Sequence, residues 1–110
     1  ITKYDPNEYK LAVEIRSDAI KYKKQCDDAV ASKSNAHAIA DKTQLFEHYS
    51  EHIPRNDNGA SASRNLNEIA QGLNQAYVKG TPSVVFCRLK YGSIENAAYV
   101  IQHVVGNRPR

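Results

Sequence analysis

The helical period of the apolar residues constrains this chain more than any other feature. Ala12, Ile15, Ala19, Tyr22, Cys26 and Ala29 recur at alternating steps of three and four, the spacing that gathers side chains on one stripe of an α-helix. A start is written just ahead of it. "YDPNEYK" offers Asp5 as N-cap, Pro6 at the first helical position and Glu8 to complete a capping box. This first helix is expected to run to about Ala31, with Cys26 turned toward the core.

The same period returns further on. "SKSN" interrupts the pattern, and Ser34 or Asn35 is placed to cap a second helix whose stripe is Ile39, Thr43 or Lys42, Phe46, Tyr49 and Ile53. That helix must stop before Pro54, whose ring disfavours helical geometry in the preceding residue. "PRNDNGASAS" collects loop-forming residues, so 54–63 is expected to be the longest exposed connection. Ser61 or Ser63 then caps a third helix through Leu66, Ile69, Ala70, Leu73, Ala76 and Tyr77, stopped by a left-handed Gly80. Ser93 caps a last helix through Ile94, Ala97, Ala98, Ile101, Val104 and Val105, closed by Gly106.

Residues 82–90 are read differently. "GTPSVVF" resembles the stretch around the cis-proline of thioredoxin-like folds, a likeness confined to those residues, since no paired cysteines precede it and no second strand follows. A lone strand cannot satisfy its backbone hydrogen-bonding groups. Thr81 as N-cap, Pro82 at N1 and Gly92 as a stop describe a short helix instead. The predicted fold class is therefore all-α: a bundle of four main helices plus one short helix, or a lone short strand, around 82–90. A chain of 110 residues supports one core, so 1–110 is expected to be a single helical domain.

Composition narrows the function. Apolar residues make up 41% and charged residues 25%, as in folded globular domains, and no apolar run approaches the 18 or so residues a membrane helix needs. The net charge of +3 arises from 15 basic and 12 acidic residues, interspersed. Lys21, Lys23 and Lys24 scatter around a helix axis and only Arg108 and Arg110 cluster in the tail, so a nucleic-acid site built on one basic face is not expected. The chain begins at Ile1 and holds no methionine, which raises the expectation of a removed signal, an excised membrane anchor upstream, or excision from a longer protein.

Cys26 and Cys87 are too far apart for a C-x-x-C motif and are expected to form one disulfide in an oxidising compartment, whether secreted, periplasmic or extracellular. Closing so long a loop stabilises a fold by about 4 kcal/mol on the chain-entropy estimate.

One stretch spells a metal motif. His48-Tyr49-Ser50-Glu51-His52 reads H-x-x-E-H, which on a helix turns two imidazoles to one face and sets a carboxylate near a bound water. Catalytic zinc needs a third protein ligand, here Glu68 or Glu95, or a remote His37 or His103. The letters are equally explained by a polar helix side: Phe46, Tyr49 and Ile53 take the core stripe, and late histidines suit the negative end of the helix dipole. No G-x-S-x-G elbow and no exposed activated thiolate accompany it.

Tyrosine beside arginine enriches protein-binding hot spots. Arg88, Lys90 and Tyr91 beside a turn, together with Arg108 and Arg110, mark the C-terminal third as the expected binding side. The function expected is a non-enzymatic extracytoplasmic helical domain without a cofactor that binds a protein partner, of the interaction, effector, toxin or inhibitor type. The competing expectations are a small metal-dependent hydrolase using His48, Glu51 and His52, or a weak nucleic-acid-binding domain.

Overall fold

The computed structural model describes residues 2–110. It contains four α-helices, α1 (Pro6–Lys23), α2 (Ala29–Glu51), α3 (Asp57–Lys79) and α4 (Val84–Gly106), and no strand among the described residues. The all-α bundle is thus as expected, without the extra short helix or strand at 82–90. None of the helices is long and apolar enough to cross a membrane.

Short connections force successive helices to run antiparallel. α1 packs most closely on α4 and α2 on α3, while the diagonal pairs α1/α3 and α2/α4 do not meet. The result is an up-down-up-down bundle of 43 × 21 × 16 Å. Ala12, Ile15, Ala19, Ile39, Phe46, Leu66, Leu73, Tyr91 and Ile94 fill its axis, and each large apolar side chain buried there contributes about 1.5–3 kcal/mol.

Helix boundaries depart from expectation where side chains cap differently. The Asp5 carboxylate accepts from the backbone N–H of Asn7 and Glu8, both at 2.9 Å, and α1 starts as predicted. It ends at Lys23, however, because Asp28 caps α2 by accepting from Ala31 N at 3.0 Å. The intervening turn keeps near-helical bonds, Gln25 N to Tyr22 O and Cys26 N to Lys23 O, so Cys26 stays buried although its helix has ended. Neither Ser34 nor Asn35 caps α2; both lie inside it.

The stretch expected as an exposed loop over 54–63 is helical from Asp57 onward. The N-cap is Asn56 rather than Ser61 or Ser63, and Arg55, at φ 59°, makes the sharp entry. Gly80 ends α3 in an extended conformation, not a left-handed one. Ser83 caps α4 through Phe86 N at 3.0 Å, and α4 runs through Gly92 without a break. Glycine costs a helix interior about 1 kcal/mol, but Cys87, Tyr91, Ile94, Ala98, Ile101 and Val105 are all buried along one continuous stripe, and that packing outweighs the local penalty.

Cys26 and Cys87 form a disulfide spanning 61 residues. It joins the α1–α2 turn to the first turn of α4, at the opposite end of the bundle from both termini.

Candidate functional site

Of the five residues expected to bind a partner, the structure spreads rather than gathers them. Tyr91 is completely buried, its ring edge-on to Tyr22 with centroids 6.0 Å apart, and is a core residue rather than a contact residue. Lys90 lies over its neighbour Phe86, and Arg88 is exposed. Arg110 sits at the far end of the bundle, with its guanidinium 3.9 Å from the Tyr4 ring centroid.

Arg108 belongs to a polar node that sequence reasoning did not find. Glu8 is 0% exposed; its Oε1 accepts from Arg108 Nη1 at 2.5 Å, and its Oε2 accepts from Ser50 Oγ at 3.3 Å and Asn56 Nδ2 at 3.0 Å. Asn56 also donates to Ser50 O and accepts from Arg108 Nη2 at 3.0 Å. Glu8 therefore does not complete a capping box, and Asn56 does not cap α3 with its side chain. All four helix termini at this end are tied through one carboxylate. Gly59 lets the Asn56 carboxamide lie against α3, in space a methyl group at that position would occupy. Such a sealed node is a fastening, since no substrate can reach its carboxylate.

The H-x-x-E-H stretch lies at the end of α2, with His48, Glu51 and His52 all exposed. His52 Nδ1 is 2.9 Å from the carbonyl of His48, one turn back. Among the described residues, no group of three or more His, Cys, Asp or Glu side chains is placed to hold a metal ion; Glu68, Glu95, His37 and His103 do not complete this one. The polar helix side is what the geometry supports.

Three buried or half-buried phenols and one lysine have displaced acidities. Burial pushes Tyr91 well up, assisted by Tyr77 and Tyr22; burial also raises Tyr22 and Tyr49. For Lys42, burial favours the neutral amine, but Asp18 Oδ2 at 2.7 Å and Glu14 Oε1 at 3.5 Å outweigh it and raise its value. Tyr22 and Tyr91 pack ring against ring between α1 and α4, Lys42 ties α2 to α1, and Tyr49 donates to Asp5 at the edge of an open cleft shared with Leu45, His48, His52 and Pro54.

Val30, Leu45 and Val78 are exposed singly on α2 and α3, whereas the outer face of α4 exposes several apolar residues together. Val85 is 76% exposed, Leu89 68%, Val100 58% and Val104 52%. Ser93 and Asn96 lie between them, also exposed. Positions 85, 89, 93, 96, 100 and 104 fall within about 100° of the helix circumference, and none of them carries a formal charge; the exposed His103 lies on the edge of the same arc, about five turns from Val85. Next to this strip, an apolar cleft of about 150 Å³ opens between α3 and α4, lined by Gly59, Ala62, Val100, Ile101, Val104 and Val105 among others. Val104, expected in the core, is instead on its rim. The spacing was visible in the sequence, but α4 carries two apolar stripes and only packing tells which is covered.

No protein family, curated protein or solved structure matches the chain.

Proposed function

We propose that this chain is an extracytoplasmic protein-interaction module that offers the outer face of α4 to a partner. The carrying observation is the uncharged strip Val85, Leu89, Ser93, Asn96, Val100 and Val104, in a chain whose residues are 25% charged. Soluble proteins expose single apolar residues freely, whereas apolar residues gathered on one face mark an interaction surface; here two apolar pairs, Val85 with Leu89 and Val100 with Val104, flank the polar Ser93 and Asn96. The polar groups of the bundle are otherwise engaged: Glu8, Ser50, Asn56 and Arg108 in the node, Lys42 with Asp18 and Glu14. An enzyme needs convergent polar groups in a pocket; the Glu8 carboxylate is sealed, and in the open cleft beside it, which Arg55, Asp57 and Asn58 also line, Asn56 and Arg108 are already bonded to the node. The Cys26–Cys87 disulfide suits an oxidising compartment.

The reading is tested by placing a photo-crosslinking residue at position 89 or 100 in cells that produce the protein, with position 33 on the exposed side of α2 as control. A discrete protein adduct from 89 and 100 and none from 33 is expected. No adduct from either α4 position, or the same adducts from all three, overturns the reading.

A further inference from the structure

The outer strip of α4 reads the same in both directions. Its exposed positions 85, 89, 93, 96, 100 and 104 are separated by steps of four, four, three, four and four. Turning a second α4 end over end about a point between Ile94 and Glu95 therefore returns the strip onto itself. Val85 meets Val104, Leu89 meets Val100, and Ser93 meets Asn96, each contact made twice. The outer pairs are apolar with apolar, and the central pair joins a hydroxyl to a carboxamide, groups that can hydrogen-bond. A foreign partner gains nothing from such inversion, whereas a two-fold interface requires it, because the same patch must serve both sides.

We infer that the partner of this face is a second copy of the chain, docked with the two α4 helices antiparallel about a two-fold axis at residues 94–95. This rests on the reading of that face as a protein-binding surface and names its occupant. Charge permits it: each copy carries +3, but none of the six positions is charged; the exposed His103 shares their arc, and Arg88, Lys90 and Arg108, the last lining the cleft beside Val104, flank it. Area permits it as well. A helix of 23 residues is about 34 Å long and the bundle is 21 Å broad, so the whole side that carries α4 projects to at most about 700 Å² per copy, with the strip itself about 300 Å² of it, against about 800 Å² in a standard specific interface. A contact of that size with few hydrogen bonds fits a dimer of about micromolar affinity or weaker.

Sedimentation of the purified full chain, up to about 1 mM, is the test. A monomer–dimer equilibrium is expected, and Leu89→Glu or Val100→Lys should each abolish it with helical circular dichroism unchanged, because each sets an unpaired charge against an apolar side chain. Mixing the two variants should restore association, since Glu at 89 then faces Lys at 100. Val85→Cys mixed with Val104→Cys should give a cross-linked dimer, and neither alone should, because in this register two copies of position 85 lie about 28 Å apart. A chain that stays monomeric throughout, variants that still associate, a mixture that fails to recover, or equal cross-linking by Val85→Cys alone overturns the inference. The photo-crosslinking experiment separates the two failures: an adduct at some mass other than twice that of the uncrosslinked protein keeps a protein-binding face and removes the second copy, and no adduct removes both.

Discussion

Arg108 Nη1 lies 2.5 Å from Glu8 Oε1, joining residues 100 positions apart. The first turn of α1 and the chain's last residues are thereby held together, with Ser50 and Asn56 completing the carboxylate's partners. The two ends of this pair are not equivalent. Glu8 is fully buried, whereas the Arg108 side chain retains 10% exposure. Arg108→Ala leaves a buried carboxylate without its counter-charge, held only by the neutral donors Ser50 and Asn56, and should cost about 3–5 kcal/mol. Glu8→Ala leaves a guanidinium able to turn to water and should cost clearly less. Urea unfolding of both variants checks the order; a smaller loss for Arg108→Ala than for Glu8→Ala would contradict the account.

Gly59 and Gly72 make a sign test within one helix. Alanine is favoured over glycine in a helix by up to about 1 kcal/mol, and nothing lies within 4 Å of a methyl group added at position 72. Gly72→Ala should stabilise the protein by about 0.5–1 kcal/mol. At position 59 the same methyl overlaps the Asn56 carboxamide and expels it from Glu8 and Arg108. Gly59→Ala should therefore destabilise by about 1–3 kcal/mol, the cost of leaving buried polar groups unpaired. Thermal melts of the two variants should move in opposite directions.

The contrast between these sites shows what was legible in the sequence. The stripes through Ala12, Ile15 and Ala19, or Leu66, Ala70 and Leu73, depend on local period alone, and they are buried as that period implies. Boundaries were less legible because the starts depend on tertiary geometry: Asp28 caps α2 ahead of Ser34, and α3 begins after Asn56 with no side-chain cap, the Asn56 carboxamide being drawn into the node instead. The Glu8–Arg108 node was hidden for a different reason. A glutamate at the third helical position reads as a capping-box member, and an arginine near the end reads as solvated tail, until the fold brings them together. The strip on α4 was hidden by abundance, since two apolar stripes on one helix cannot be ranked before its neighbours are placed.

Cys26 and Cys87 close a loop of 61 residues, and the constraint acts mainly on the unfolded chain. Replacing both with serine should lower stability by about 4 kcal/mol on the chain-entropy estimate, with further loss from the hydroxyls set into a buried apolar site. Reduction with a thiol, followed by alkylation only after unfolding, should show the same penalty. A variant as stable as the native protein would mean that the unfolded chain already keeps these segments close without the cross-link.

Alkaline pH should unfold the protein, and the sign follows from four groups displaced the same way. Tyr22, Tyr49, Tyr91 and Lys42 all have values raised in the folded state, against about 10 for a free tyrosine and about 10.4 for a free lysine. Below those values both states hold the protons and stability is level. Above about pH 10 the unfolded chain releases protons that the folded chain keeps, so stability falls as pH rises toward the folded values. Tyr91, completely buried and with no hydrogen-bond partner for its hydroxyl, should supply the steepest part, up to about 1.4 kcal/mol per pH unit. Tyr91→Phe removes that part and an unsatisfied hydroxyl together. It should leave stability at pH 7 within about 1 kcal/mol of the native protein or improve it, and should shift the alkaline midpoint upward. Circular dichroism followed against pH, with tyrosinate absorbance read on the same samples, measures both; an unchanged midpoint would show that Tyr91 can ionise within the fold.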